Sequence, residues 1–543
     1  MKRVLSLLVV LMLMFALVAC GAPAEEPAEP AEPAEPAEPA DEEEEEEEEV
    51  SEKTDWVIAL ETDIVQFDPV KIGDATTSGV AFQIFERLLS RAPDGQPIPD
   101  LAEDWEISDD GLSWTFYLRE GVTFHDGSPF NAEVVEWHFN RGKSEESNFR
   151  AQFAIIENMD IEDDYTITFN LTEPMAAFAD NVIMPNGGFI PSMEAYQTMD
   201  YDDWAMDPIG TGPFMYDEWV PGQRVELVRN PDWWGDGPKL EKVIYRVIPE
   251  AGTQVIELET GGVDLITRAT TEDIERFEQN PDISVIVTPA YRSRQFELNV
   301  EKFPFDDIRI REAVNWAVDM PSIVEAIASP ITVYADSLLP MAGWGYPGEG
   351  VLPSIGYDPD RAMELIEEAG FQMVGDYYEK DGQRLSITIH SPDHRYYMDK
   401  DICEVTQHQF NQVGIEADVK VMEWGAFLDE VREGEFQMVF LGWNQSGADP
   451  SLFTDAKVMT GGRGNYANHS DPELDEILRQ AQRETDMDVR KELYKEAQIL
   501  INENVWHIFI GNESLQWFFP STVRGWDPGP AISGDYTQLY FTE

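Results

Sequence analysis

The chain has 543 residues, 43% hydrophobic and 11% aromatic, with 106 Asp and Glu against 37 Lys and Arg for a formal net charge of -69. That apolar content excludes a disordered chain and, at roughly 100–200 residues per domain, points to two to four folding units. The charge excludes a duplex-DNA or RNA binder, which needs clustered Lys and Arg against phosphates. Two cysteines, Cys20 and Cys403, exclude a disulfide-stapled fold and a thiolate metal cluster.

The N-terminus divides cleanly. Lys2 and Arg3 precede one apolar run from Val4 to Val18, closed by Leu17-Val18-Ala19-Cys20. The run is shorter than the roughly 20 residues of a spanning helix and reads as a secretion signal. Residues 21–53 follow as a tether of Glu-Pro-Ala triplets and the acidic run Asp41 to Glu49. Nothing there can bury apolar surface, and the Pro-rich part extends by roughly 3.1 Å per residue. From Thr54 onward there are still 90 acids against 34 bases, so the tether is not the main source of the charge. Such a surface keeps a protein hydrated and suits high salt.

The body reads as mixed α and β. Trp114 to Leu118 and Thr166 to Leu171 alternate as half-buried strands do. Arg311 to Ile327 reads as a helix with Ala313, Val314, Ala317 and Val318 inward, and Pro321 starts a second segment. Strands are expected at Ile387-Thr-Ile389, Val419-Lys-Val421 and Met438 to Leu441. Ser470 with Glu473 matches a capping box, Pro472 lies in the first turn, and Leu474, Ile477, Leu478 and Ala481 form one face. Val489, Leu493, Ala497 and Leu500 mark the next helix.

Catalytic signatures are absent from the sequence: no Gly-x-Ser-x-Gly elbow, no His-Glu-x-x-His, no phosphate loop. Gly343-Trp-Gly345-Tyr-Pro-Gly348 matches the dinucleotide expression, but Pro340 and Pro347 crowd it and it reads as a turn-rich loop. His390 and His394 have metal-ligand spacing for a helix, yet Pro392 between them breaks the face. Asp160, Glu162, Asp163 and Asp164 lack the glycine turn of a calcium loop and read as a solvated face. No metal, cofactor or catalytic residue is expected. Many of the 15 Trp and 18 Tyr lie beside Gly or Pro, as in Gly442-Trp443, Trp344-Gly345 and Trp233-Trp234-Gly235. Aromatics presented from loops build ligand clefts, although at least half are expected to be ordinary packing.

Further stretches carry more. Ile84-Phe-Glu-Arg-Leu-Leu89 precedes Pro99-Asp-Leu-Ala-Glu-Asp-Trp105 and Ser108-Asp-Asp-Gly-Leu-Ser-Trp-Thr-Phe116. Leu118-Arg-Glu-Gly-Val-Thr-Phe-His-Asp-Gly127, Ile209-Gly-Thr-Gly-Pro-Phe214 and Pro304-Phe-Asp-Asp-Ile-Arg-Ile-Arg-Glu-Ala313 follow in order. Together they resemble the solute-binding proteins of ABC transporters, extracellular family 5, whose members include oligopeptide, dipeptide and nickel binders. Leu17 to Cys20 likewise resembles a bacterial lipobox, which implies cleavage before Cys20 and its acylation.

The resemblance implies an α/β, bilobal, type II periplasmic-binding-protein-like fold with an additional domain inserted in the first lobe. The first lobe would comprise 54–90, 206–288 and 512–543, the extra domain 91–205, and the second lobe 289–511. In peptide-binding relatives a segment like Gly442-Trp-Asn-Gln-Ser-Gly-Ala-Asp-Pro450 lines the cleft and an aspartate takes the α-ammonium. Ser446 occupies that position here, so Asp449 or Asp63 would have to substitute. Arg395 matches an arginine that takes the ligand carboxylate, a role its planar fork suits. Tyr291, Arg292, Arg294, Trp424, Trp443 and Asn444 complete the expected cleft. Function follows as a monomeric, lipid-anchored receptor outside the cytoplasmic membrane, in the periplasm or at the cell surface. It would pass a peptide or other small solute to an ABC permease and ATPase. The alternatives are an extracytoplasmic hydrolase of peptides or glycans, or a receptor for a sugar acid or metal chelate without transport.

Overall fold

In the computed structural model the described residues are 50–92, 95–444, 447–529 and 534–543. The signal segment, Cys20, most of the tether and Ser446 lie outside them.

The first strand, β1 (Asp55–Leu60), buries Trp56 and Ile58. The chain then builds a separate sheet from β2 (Ala102–Ile107), β3 (Ser113–Leu118), β4 (Ile156–Asp163) and β5 (Thr166–Leu171), in the antiparallel order β2-β3-β5-β4. β3 and β5 bury Trp114, Phe116, Leu118 and Ile167, Phe169, Leu171 on alternate positions, as their pattern predicts. Each such large apolar side chain contributes about 1.5–3 kcal/mol on burial. They form a core drawn from Leu88 to Ile190. The chain returns as β6 (Phe214–Val220), β7 (Arg224–Arg229) and β8 (Lys242–Val247), giving the order β1-β8-β7-β6 with β1 and β8 parallel. At Gly210 a Cβ would lie 2.0 Å from the Ile84 carbonyl oxygen, so only glycine lets this turn pack on that backbone. The His125-Asp126-Gly127 turn joins it, with the His125 ring 3.0 Å from the Gly212 carbonyl oxygen. Trp56, Phe214, Val243, Trp517 and Phe541 share one core, so three distant chain segments meet there.

A 16-residue strand, β9 (Ile283–Leu298), carries the chain onward. Next come α1 (Ile308–Trp316), capped by Asp307, and α2 (Met320–Ile327), capped by Asp319 with Pro321 in its first turn. The second segment expected at Pro321 is α2, the first begins at Ile308 rather than Arg311, and the four expected inward residues are all buried. After β10 (Thr332–Val333) come β11 (Ser386–Pro392), β12 (Glu416–Met422), α3 (Trp424–Arg432) and β13 (Met438–Asn444). Then α4 (Pro472–Arg483) and α5 (Met487–Asn504) lead into β14 (His507–Pro520). The cap of α4 is Asp471, which accepts from the N–H groups of Glu473 and Leu474; Ser470 lies one residue too early because Pro472 already occupies the first turn.

The large sheet has the order β10-β14-β9-β13-β11-β12 among the described residues. β9 and β14 pair antiparallel from Ile283 to Pro289 and from Ser293 to Glu297, with register changes between Pro289 and Ser293 and between Arg294 and Gln295. Below that break Trp517 and Phe519 pack in the core of Trp56 and Phe214 and Phe518 in that of Ile266 and Phe277; above it Phe296, Leu298, Ile508 and Ile510 pack in a third core. Cys403 is buried in that third core. His390 is buried against Glu430, while His394 is exposed beside Asp393, so the two do not share a site.

Candidate ligand-binding cleft

Three parallel strands of the large sheet finish together. Pro392 of β11 pairs with Met422 of β12, and β13 lies parallel to β11 at Ile389–Met438 and His390–Val439 before continuing to Asn444. In open α/β sheets ligands lie beyond such carboxyl ends. β9 enters antiparallel at the same end, with Arg292 opposite Asn444, Ser293 opposite Trp443 and Arg294 opposite Gly442. Strand order thus gathers Arg395, Trp424, Trp443, Asn444, Arg292 and Arg294 from four chain segments.

Arg395 lies just past β11. Asp399, 2% exposed, fixes its loop by accepting the N–H groups of Arg395 and Tyr396 at 2.8 and 2.9 Å. The guanidinium is exposed and lies 5.0 Å from the Trp424 ring centroid and 5.8 Å from that of Tyr396. Tyr396 meets Trp424 edge-on and donates its hydroxyl to the Gly442 carbonyl at 3.3 Å. Among the described residues no carboxylate pairs with Arg395. A guanidinium over an indole keeps its N–H fork available at its edge.

Arg292 and Arg294 are placed differently. Both pair with Glu513 on β14, Arg292 at 2.7 Å, and Arg294 also lies 4.5 Å from the Tyr396 ring centroid. Burial lowers the pKa of Arg294, and burial would raise that of Glu513, but the two guanidiniums outweigh it and hold the carboxyl below the usual range. The trio keeps one net positive charge, but Glu513 engages both guanidiniums, so it shapes the site rather than offering an unpaired cation.

Trp443 is half-buried, edge-on to Phe453, with the Lys457 ammonium 5.5 Å and the Arg463 guanidinium 5.7 Å from its ring centroid. Beneath it Lys457 and Glu297 form a fully buried ion pair. Asp449, 1% exposed, is engaged by Arg490 at 2.8 and 3.1 Å and accepts from the N–H and hydroxyl of Ser451. Its carboxylate lies inside a matched pair, not on an open wall. Asp63 accepts from the Trp219 indole at 3.0 Å and the Gly222 N–H at 2.6 Å, bracing the first lobe, and the structure does not bring it to this group. Trp233 and Trp234 also turn away, both indoles donating to Glu86.

The flank of the cleft is closed by groups that the sequence did not single out. Arg91 pairs with Asp180 at 2.5 Å and its guanidinium lies against Gly447. Gly95, at φ +86°, sits where a Cβ would be 2.6 Å from Ala448 and 3.4 Å from the Tyr291 hydroxyl oxygen, so Tyr291 belongs to this contact. The Ala176 N–H donates to the Gln482 carbonyl at 2.9 Å. Burial raises Asp180 to about 6, Arg91 opposing and Asp449 adding to the shift. Arg91, Asp180, Tyr396, Glu513 and Arg490 are paired over long sequence separations, which no local motif announces.

The profile for bacterial extracellular solute-binding proteins, family 5, middle part, matches residues 96–465. The chain belongs to that family. It is a solute-binding receptor with the bilobal fold of ABC-importer binding proteins. It is 27% identical over 496 residues to the dipeptide-binding protein of Escherichia coli, covering 86% of this chain and 90% of that one. Its structure is similar to that of HbpA2 from Haemophilus parasuis, with a TM-score of 0.83, 25% identity, and 90% and 100% of the two chains covered. It is also similar to DppA of Helicobacter pylori in complex with the peptide STSA, at a TM-score of 0.69, 26% identity and 90% and 98% coverage. No helix among the described residues is long and apolar enough to cross a membrane.

Proposed function

We propose that the receptor captures a short peptide or other carboxylated solute between its lobes, with Arg395 meeting the carboxylate. One observation carries this reading: in a chain with net charge -69, Arg395 is stacked on Trp424 at the ligand end of the sheet without an ion-pair partner among the described residues. The dipeptide-binding relative and the peptide complex support the peptide class. The lobes are taken as 54–90, 206–288 and 512–543 against 289–511, with 91–205 as the extra domain. Closure over the ligand presents one face to an ABC permease and its ATPase. Acylated Cys20 would hold the monomer at the outer face of the membrane, and intact-mass measurement of membrane-extracted protein tests that anchor.

The binding test is calorimetric titration with a dipeptide and with its C-terminal amide. The free acid should bind at least tenfold tighter, and Arg395→Gln should abolish the difference. Equal affinities in the wild type would remove Arg395 from the site.

A second reading, a carboxylated non-peptide such as a sugar acid or metal chelate, is favoured by the occupation of Asp449. A peptide α-ammonium entering there would have to displace Arg490, leaving a buried guanidinium unpaired. Titration with an N-acetylated dipeptide separates the two: undiminished binding supports the non-peptide reading.

A further inference from the structure

Aromatic side chains at the ligand end of the large sheet fall into one row. Val439 and Leu441 of β13 pack in a small core with Phe427 of α3, and Trp424 and Tyr466 lie against that core. Residues two apart on a strand share a face, and β13 pairs with β9 without a register break. Trp443 therefore continues the face of Val439 and Leu441. The buried Lys457 links it to Tyr466, its ammonium lying 5.5 Å from each ring centroid. Trp424, Tyr466 and Trp443 are all half-buried, so each keeps some surface uncovered. Arg395 stands over the first of them, at Trp424.

A second guanidinium stands over the last. Arg463 is exposed, 5.7 Å from the Trp443 ring centroid. Like Arg395, it has neither an ion pair nor a side-chain hydrogen bond among the described residues. With 106 acidic side chains against 37 basic ones, an exposed guanidinium that meets no carboxylate is the exception; Arg361 and Arg432, also on the surface, each have one. The loop that carries Arg463 is braced. The Gly464 N–H donates to the Ala456 carbonyl at 2.7 Å. The amide of the buried Asn465 donates to the Met459 and His469 carbonyls at 3.2 and 2.9 Å. A Cβ at Gly464 would lie 2.9 Å from the Trp443 ring, so glycine there lets the loop press Arg463 against the indole. A cation already held in place loses little freedom when it meets an anion, and its stacked fork still offers N–H groups at its edge.

We propose that Arg463 is a second anion-binding residue of the cleft, which makes the receptor selective for a solute carrying two negative groups. Arg395 meets one, Arg463 meets the other, and the body of the solute lies along Trp424, Tyr466 and Trp443. The assignment rests on the reading that Arg395 takes a carboxylate. Hydrogen bonds from a guanidinium to a carboxylate are roughly twice as strong as those to a neutral amide, so charge decides the choice.

The test is calorimetric titration of the full chain with Glu-Ala, Glu-Ala-Ala and Glu-Ala-Ala-Ala and with their Gln counterparts, each free and N-acetylated. Within each pair only one negative charge differs, and each added residue widens the spacing of the carboxylates by up to about 3.3–3.6 Å. At one spacing the Glu peptide should bind at least tenfold tighter than the Gln peptide. Arg463→Gln should shrink that gap below twofold by weakening the Glu peptide alone, with its unfolding midpoint unchanged, and Arg463→Lys should restore part of it. Arg361→Gln, which removes a surface guanidinium paired with Glu364 and Glu368, should leave the gap intact. Equal affinities within every pair, a gap that survives Arg463→Gln, or equal loss of both members would overturn the assignment. If Arg395→Gln still weakens both members in those cases, the role of Arg395 stands and only that of Arg463 falls. Failure of all the peptides to bind would overturn both.

Discussion

Arg395 and Arg490 are the same residue type in opposite settings. Arg490 is 2% exposed and its charge is cancelled by Asp449, which more than offsets the cost of burial. Arg395 is exposed, rests on Trp424, and keeps its charge unanswered among the described residues. The difference teaches which charges hold the fold and which await a ligand: the first are buried and matched, the second are exposed, stacked and single. In a molecule this acidic, a lone exposed guanidinium at the ligand end of a sheet carries information that its sequence context alone does not.

Four experiments break or sharpen this contrast. Asp449→Asn leaves Arg490 buried without its counter-charge and should cost about 3–5 kcal/mol in denaturant unfolding; a loss under about 1 kcal/mol would mean that water reaches the pair. Glu86 offers a third setting, a buried carboxyl held by two indole N–H groups and no guanidinium, raised to about 8 by burial. Its folded pKa lies above the unfolded value of about 4.3, so the folded state keeps a proton that the unfolded state has released. Stability should therefore fall as pH rises from about 4 to 8, by up to about 5 kcal/mol, and then level off. Glu86→Gln should flatten that part of a pH series of melts. Arg395→Ala should weaken a carboxylate ligand at least tenfold, about 1.4 kcal/mol, while leaving the unfolding midpoint unchanged. Trp424→Ala, which removes only the platform, should cost about 0.5–1 kcal/mol of binding, read in the same titration.

Periodicity places β3, β5, α1, α2 and α4 because their alternate or i, i+3, i+4 positions bury against continuous cores, whereas β11, β12, β13 and α5 are found where expected with a different pattern inward: Val421 and Val489 are exposed, and Arg490, Tyr494 and Gln498 turn into the α5 core. Boundaries shifted where two capping residues competed, as at Ser470 and Asp471. The cleft was legible only in part. Arg395 and Trp424 stand beside strand ends, which pattern can locate. That Arg292 and Arg294 are ion-paired is not legible, because their partner, Glu513, lies 221 and 219 residues further on and only the pairing of β9 with β14 brings it close. The pairing of Asp449 is hidden for the same reason, since Arg490 reaches it from a helix 41 residues away. Trp233 and Trp234 share the Gly-flanked look of cleft aromatics, yet a buried glutamate decides their direction.

The register change between Pro289 and Ser293 has a mechanical corollary. β9 and β14 contribute to separate cores on either side of it, so a rotation of one set of cores on the other would bend the ladder most easily where it is unpaired. Arg292, Arg294 and Glu513 sit on that axle, where a turning body travels least. A charge cluster at a pivot keeps its geometry through the swing, and so serves as a bearing.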